Sequence, residues 1–147
     1  MIADYLGWSA VSASGARAFN PGDVRSSDWL AECKTHTESK DKIVIKKEWW
    51  TKLANEAKSV MKTPILCVDN GTQRLQNTWA IFPKSMHNGA GAAVDISCIE
   101  SDKSFSFSHA RALSVFTDNS FYEISINNQS LLLVKIQYFK SLFFDEG

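Results

Sequence analysis

Three charged side chains in the first quarter of the chain combine types and spacing that suit hydrolytic chemistry. Asp23 opens one apolar stretch, and Glu32 and Lys34 lie two residues apart at the end of the next. Side chains i and i+2 of a β-strand share a face, so we expect Glu32 and Lys34 to project together, with Asp23 on the neighbouring strand. Carboxylate oxygens hold Mg²⁺, and an adjacent lysine can orient or deprotonate an attacking water. The pattern indicates metal-assisted hydrolysis of a phosphodiester, which is the reaction of a nuclease.

Each of these residues also has a structural explanation when it is taken alone. Asp23 follows Pro21 and Gly22 and suits a turn. Glu32 and Lys34 suit a surface ion pair, which is worth about 0.5 kcal/mol. A Glu-x-Lys pattern alone carries little information, but its combination with an acid nine residues upstream favours the nuclease interpretation. The side chains expected on the opposite face of that strand, in a core, are Trp29, Ala31 and Cys33.

Length and charge bear on the number of domains and on the attraction of the chain to nucleic acid. At 147 residues the chain is long enough for one domain with a substantial core. The formal net charge is zero, which gives no global attraction to nucleic acid. The segment 34–62 is locally basic, with eight lysines against four acids. Such a segment suits a phosphate backbone, although a solvated lysine-rich helix face produces the same pattern.

Cysteine spacing and hydropathy exclude several classes of protein. Cys33, Cys67 and Cys98 are widely spaced in apolar stretches, which indicates reduced, buried thiols and not a disulfide framework. No Cys-x-x-Cys or His-x-x-x-His spacing supports a structural zinc site. No apolar run approaches the roughly 18 residues of a membrane span, and no signal peptide is evident. We therefore expect a cytoplasmic protein without a membrane partner.

A sheet and a crossover helix are predicted to position the candidate residues. Alternation and turn residues predict short strands over 8–13 and 23–26 and a third strand over 29–34. Between 46 and 61 the period changes to 3.6, which predicts an amphipathic helix. The buried strand 65–68 should then pair in parallel after the helix, giving a mixed α/β core with one crossover. The apolar stripe of the helix comprises Trp50, Leu53, Ala54, Ala57, Val60 and Met61.

The second half of the chain is specified less clearly. Residues 76–82 suit another strand, and 84–103 form a loosely specified connection. The aromatic content of the C-terminal part predicts that it packs on the core. The remaining predicted elements are a helix over 108–116, strands over 121–126 and 130–135, and a helix over 139–144. Trp49, Trp50 and Trp79 are interpreted as core or interface residues rather than base-stacking surfaces.

Five segments together resemble a known family. They are Ser-Ala-Ser-Gly-Ala at 12–16, Pro-Gly-Asp-Val at 21–24, Glu-Cys-Lys at 32–34, Ile-Val-Ile-Lys-Lys-Glu-Trp-Trp-Thr-Lys-Leu at 43–53 and Thr-Pro-Ile-Leu-Cys-Val at 63–68. The combination resembles the PD-(D/E)xK nuclease superfamily, nearest to archaeal-type and phage-encoded Holliday junction resolvases. The likeness covers about 6–68 and continues more weakly through 82. It implies a restriction-endonuclease-like α/β core, a central mixed sheet flanked by helices over about 6–83, with a C-terminal α+β extension over about 84–147 in a single domain.

The resemblance also implies roles for individual residues. Asp23 and Glu32 would be metal ligands, Lys34 the catalytic lysine, and the backbone carbonyl of Cys33 a further metal ligand. Ser14 and Gly15 lie where related resolvases place a segment near the scissile phosphate, and Lys47 lies at the basic opening of the following helix. The implied DNA-binding set is Ser14, Gly15, Arg17, Lys46 and Lys47.

The function implied by the resemblance is that of an endodeoxyribonuclease dependent on Mg²⁺, with Mn²⁺ as a substitute. The substrate would be branched DNA, in particular a four-way junction in recombination and repair. Paired cuts in a junction imply a homodimer, and the setting would be the cytoplasm of a bacterial or phage-infected cell. Two alternatives remain: an inactive nucleic-acid-binding module of the same fold, and a repair or restriction-like nuclease that acts on other DNA structures.

One feature of the family is not matched. Its members carry a further catalytic glutamate on a helix before the first strand, whereas Asp4 is the only acid upstream of Asp23 in this sequence. Asp4 could take that role, Glu48 could supply it from the following helix, or the metal shell could be thinner. His36 follows the motif directly and is a candidate general acid, although a histidine at such a position is more often incidental.

Overall fold

A central mixed β-sheet and three α-helices form the part of the chain that the computed structural model describes, which is residues 5, 9–10, 24–25, 28–36, 41–72 and 74–144. The strands are β1 (Ser9–Ala10), β2 (Val24–Arg25), β3 (Trp29–Thr35), β4 (Lys42–Lys46), β5 (Thr63–Asp69), β6 (Thr78–Pro83), β7 (Ala92–Ala93), β8 (Ile99–Glu100), β9 (Ser104–Ser108), β10 (Ser120–Ile126) and β11 (Gln129–Lys135). The helices are α1 (Lys47–Ser59), α2 (His109–Val115) and α3 (Ile136–Phe143).

The central sheet has the strand order β1-β2-β3-β5-β6-β11-β10-β7, and a smaller sheet has the order β4-β9-β8. Strands β3 and β5 are parallel over their full length, from the pair Trp29–Thr63 to the pair Thr35–Asp69. They are joined through β4 and α1, which confirms the predicted helix crossover and the predicted parallel pairing. The mixed α/β class is therefore confirmed, and β10 and β11 from the C-terminal part of the chain belong to the same sheet.

Both faces of the central sheet are covered. On one face, α1, α2 and the small sheet enclose a core that includes Leu30, Trp50 and Leu53. On the other face, α3 packs over a core that includes Trp29 and Phe139, whose rings meet edge to face with their centroids 4.9 Å apart. The alternation of β3 places Trp29, Ala31 and Cys33 in or against this second core, as the sequence predicted. Trp50 and Trp79 are fully buried, as expected.

Helix α1 ends two residues earlier than its sequence pattern predicts. Lys62 donates its backbone N–H to the Ala57 carbonyl and Met61 donates to the Lys58 carbonyl, which together close the helix end. Met61 has a φ of 59°, in the left-handed region, and its side chain is 92% exposed. Val60 is 46% exposed. The prediction that Val60 and Met61 belong to the buried stripe is therefore wrong, because the chain leaves the helix before their side chains reach the core.

The three strands of the small sheet were not predicted. Strand β4 buries Ile43 and Ile45 and pairs with β9, where Phe105 and Phe107 point inward opposite them. The sequence pattern had merged the end of β4 with the start of the helix. The helix α3 begins at Ile136, three residues before the predicted start, and its aromatic side chains pack on the core as predicted. No helix in the described ranges is both long enough and apolar enough to cross a membrane.

Candidate active site on strand β3

Glu32 and Lys34 lie on the face of β3 that α1 covers, next to each other. The Nζ atom of Lys34 is 2.9 Å from Oε2 of Glu32, and the two side chains are 35% and 13% exposed, respectively. In the parallel register with β5, Glu32 pairs with Leu66 and Lys34 with Val68. The structure therefore brings these two of the three sequence-predicted residues together, with the carboxylate largely shielded from solvent.

A tryptophan and a second lysine adjoin this pair. Trp49, the third residue of α1, is partly buried against the core. The Nζ atom of Lys34 lies 5.4 Å from the centroid of its ring, and that of Lys46 lies 5.8 Å from it. Both distances are within the range of a favourable cation–π contact. The indole thus links the Glu32–Lys34 pair to the first residues of the helix, a role that the sequence did not reveal.

The two lysines at the start of α1 differ in their surroundings. Lys47 is 22% exposed and forms an ion pair with Glu100 of β8, with 2.7 Å between Nζ and Oε2. Its ammonium also lies 5.1 Å from the centroid of the Phe105 ring, so it ties the helix to the small sheet. Lys46 is exposed and has no carboxylate partner among the described residues. Of the two, Lys46 is the one whose charge is left for an external anion.

Several predicted site residues lie outside the part of the chain that the structure describes. Asp23 lies outside the described residues, and so does the upstream acid Asp4. The same holds for the DNA-binding candidates Ser14, Gly15 and Arg17.

The alternative acid Glu48 is exposed and lines a groove of about 510 Å³ between the start of α1 and the β8–β9 turn. The opposite wall of this groove includes Asp102 and Lys103. Lys103 also accepts a hydrogen bond at its carbonyl from the backbone N–H of Lys47. Glu48 therefore faces the turn of the small sheet.

The donor set for a divalent cation at β3 is incomplete within the described part of the chain. No group of three or more His, Cys, Asp or Glu side chains there could hold a metal ion. Glu32 supplies one carboxylate, of which Oε2 faces Lys34. Carboxylate and backbone carbonyl oxygens are the ligands that Mg²⁺ takes, so Glu32 and the Cys33 carbonyl fit that ion in type. A second carboxylate would have to come from outside the described residues.

The histidines of the described regions form structural hydrogen bonds. His36 accepts a hydrogen bond at Nε2 from the backbone N–H of Val44, at 3.1 Å, and so holds β4 beside the end of β3. His109 is 6% exposed and accepts a hydrogen bond at Nδ1 from the indole of Trp79, at 3.0 Å. Its Nε2–H then donates to Oδ1 of Asn77, also at 3.0 Å. Burial lowers the pKa of His109. His36 therefore anchors a strand in this structure, and its general-acid role stays a prediction.

Cys33, Cys67 and Cys98 are free cysteines in this structure. Cys67 is fully buried, whereas Cys33 and Cys98 are partly buried. Burial raises the pKa of the Cys98 thiol to about 11.

Comparison of the chain with protein-family models, with curated proteins and with solved structures found no match. The geometry on strand β3 is therefore the basis for any functional conclusion.

Proposed function

We propose that this protein is a metal-dependent DNA endonuclease that hydrolyses phosphodiester bonds in branched DNA such as a four-way junction. The observation that carries the proposal is the Glu32–Lys34 pair. A shielded carboxylate and an ammonium lie side by side on one strand, 2.9 Å apart, below the first turn of a helix. A glutamate and a lysine two residues apart on a core-facing side of a strand meet the requirement of metal-assisted hydrolysis for an oxygen ligand and an adjacent cation.

In this proposal Glu32 is a metal ligand and Lys34 acts on the phosphate or on the attacking water. The Lys34 ammonium can donate to a phosphoryl oxygen and stabilise the negative charge that develops there. Its contact with Glu32 and with the ring of Trp49 fixes its position before substrate arrives. A bound Mg²⁺ ion would polarise the phosphoryl oxygen and lower the pKa of a coordinated water.

The second carboxylate in the proposal is Asp23, which lies outside the described residues. The antiparallel register of β2 with β3 pairs Val24 with Ala31 and Arg25 with Leu30. Asp23 directly precedes β2 in the sequence, and the resemblance is the reason for keeping it in the proposal, together with the backbone carbonyl of Cys33.

The preference for four-way junctions and the homodimer are taken from the resemblance to the resolvases. Symmetric cuts in both continuous strands of a junction require two active sites related by a two-fold axis. Lys46 and Lys47 at the start of α1 are kept as the DNA-contacting residues, of which Lys46 has the more accessible charge.

A panel of DNA substrates tests the proposal. The purified protein is incubated with a four-way junction, a flap, a duplex and a single strand, with Mg²⁺, with Mn²⁺ and with EDTA. We expect cleavage of the junction that requires the metal. Glu32→Gln is expected to abolish cleavage while junction binding is retained.

A matched control uses the same substitution in another Glu–Lys pair. Glu123 of β10 lies 3.0 Å from Lys84 and belongs to the fourth strand along the sheet from β3. The Glu123→Gln variant should cleave the four-way junction as the unchanged protein does. Undiminished cleavage by Glu32→Gln would refute the proposed site. Metal-independent binding of DNA without cleavage under any of these conditions would favour the inactive binding module instead.

A further inference from the structure

Two ammonium groups are held against one indole ring beside Glu32. Lys34 reaches the ring of Trp49 from β3, and Lys46 reaches it from the end of β4, at 5.4 and 5.8 Å from the centroid. A lysine on a solvated surface normally samples many rotamers, and forming one fixed contact costs side-chain entropy. Contact with an aromatic ring restrains both side chains in advance, so an anion that binds them pays less of this cost.

The two lysines differ in their ion pairs. Glu32 neutralises Lys34, whereas Lys46 has no acidic partner in the part of the chain that the structure describes. Lys46 is also the N-cap residue of the 13-residue helix α1, where the helix dipole adds positive potential. Because the two ammonium groups lie 5.4 and 5.8 Å from one ring centroid, their positive potentials overlap, and an anion beside the ring is attracted by both.

We propose that Lys34, Trp49 and Lys46 form a binding subsite for one backbone phosphate of a nucleic-acid strand, adjacent to the position at Glu32. This inference rests on the proposed function for the identity of the ligand. The phosphate at the subsite accepts hydrogen bonds from the two ammonium groups, while the indole keeps those groups in place. A strand held there is positioned so that its neighbouring phosphodiester lies against Glu32 and Lys34.

The first test uses an anion without a base. Tripolyphosphate is titrated into the ¹⁵N-labelled protein, and the indole N–H signal of Trp49, assigned with Trp49→Phe, is followed among those of the five tryptophans. We expect a saturable shift of that signal. Lys46→Gln should weaken binding roughly three- to ten-fold, the contribution of one accessible charge-assisted contact. The control Lys58→Gln removes an exposed lysine from the last turn of the same helix and should leave binding unchanged.

The second test uses DNA in EDTA, so that binding is measured apart from cleavage. The affinity for a four-way junction is determined at several NaCl concentrations. Lys46→Gln should reduce the slope of log affinity against log salt by about 1, which corresponds to one lost phosphate contact. Lys58→Gln should leave the slope unchanged.

The outcomes separate this inference from the proposed function. An unmoved Trp49 signal overturns the subsite, as do equal effects of Lys46→Gln and Lys58→Gln. A shift of the same size with thymidine, which has no phosphate, would also overturn it, because the ring would then be a base-stacking surface. Anion binding that depends on Lys46, in a protein that cleaves no DNA, would support the subsite and refute the nuclease. Metal-dependent cleavage with no effect of Lys46→Gln on binding would support the nuclease and overturn the subsite.

Discussion

The Glu32–Lys34 pair should be coupled more strongly than an ordinary surface ion pair. Its side chains are 13% and 35% exposed, and the ion-pair distance is 2.9 Å. Exposed pairs contribute about 0.2–1 kcal/mol, whereas breaking a fully buried pair costs about 3–5 kcal/mol. The intermediate burial of this pair predicts a coupling free energy of about 1–2 kcal/mol between those limits.

The two single substitutions should differ in their cost. Lys34→Met leaves the less exposed partner, the Glu32 carboxylate, charged and without its cation. Glu32→Gln leaves Lys34 with about a third of its side chain in solvent and with the ring of Trp49 still beside its ammonium. An unpaired charge costs more where water reaches it less. We therefore expect Lys34→Met to lower the free energy of unfolding more than Glu32→Gln does.

A double-mutant cycle measures this coupling. The free energy of unfolding is determined by urea denaturation for the unchanged protein, for both single variants and for the double variant. The Lys84–Glu123 pair serves as the internal reference, because its distance is 3.0 Å but its side chains are 52% and 44% exposed. Its coupling should lie near the bottom of the surface range, about 0–0.5 kcal/mol. Addition of 1 M NaCl should weaken the reference pair proportionally more, since salt screens exposed charges best.

Equal coupling energies in the two cycles would refute this reasoning. The two pairs have nearly the same separation and differ chiefly in exposure, so burial is the property that the comparison isolates. A coupling near zero at Glu32–Lys34 would mean that the carboxylate is well hydrated in solution. A fixed ligand position for a metal ion would then lose its physical basis.

Three further predictions concern other parts of the fold. Met61→Gly should raise the free energy of unfolding by about 0.5–1 kcal/mol, because Met61 holds a left-handed φ of 59° at the end of α1 with its side chain in solvent. The shift of the urea denaturation midpoint measures this gain. Burial lowers the pKa of His109 in the folded protein, so below about pH 6.5 the unfolded chain binds more protons. The contribution of neutral His109 to the free energy of unfolding is therefore complete above that pH and is lost as the pH falls through the lowered folded-state pKa. The His109→Gln variant should lose less stability than the unchanged protein between pH 7.5 and 5, as measured by urea denaturation at each pH. Because burial raises the pKa of Cys98 to about 11 from 9.0, its alkylation by iodoacetamide at pH 8, followed by mass spectrometry, should be slower in the native protein than in urea.

The parts of the fold that could be predicted from the sequence are those encoded by local periodicity. The alternation of β3 and the 3.6-residue period of α1 each depend on the residues of one element, and both elements occur where expected. The end of α1 was misplaced because no glycine or asparagine marks it, and Met61 takes the left-handed position that those residues usually occupy.

Strand β4 shows why other elements could not be predicted. Only three of its five residues, Ile43 to Ile45, are apolar, and Lys46 leads directly into α1, so periodicity alone does not separate strand from helix. What makes it a strand is its pairing with β9, about sixty residues later, where Phe105 and Phe107 lie opposite Ile45 and Ile43. Strand formation of this kind depends on a partner distant in the sequence.

The same distinction between local sequence pattern and long-range packing applies to the candidate site. That Glu32 and Lys34 share a face follows from a spacing of two on a strand, and the structure brings them together on that face. The contact of Trp49 with Lys34 depends instead on how α1 docks over β3, which is set by the burial of Trp50 and Leu53 against the sheet. Since Trp50 points into the core, Trp49, the preceding residue and about 100° away around the helix, is directed to the side of it, where β3 ends. A substitution that rotated this helix would therefore separate Lys34 from the indole while leaving its contact with Glu32 on the strand. The ion pair is a property of β3 alone, whereas the contact between Lys34 and Trp49 is a property of the packing between β3 and α1.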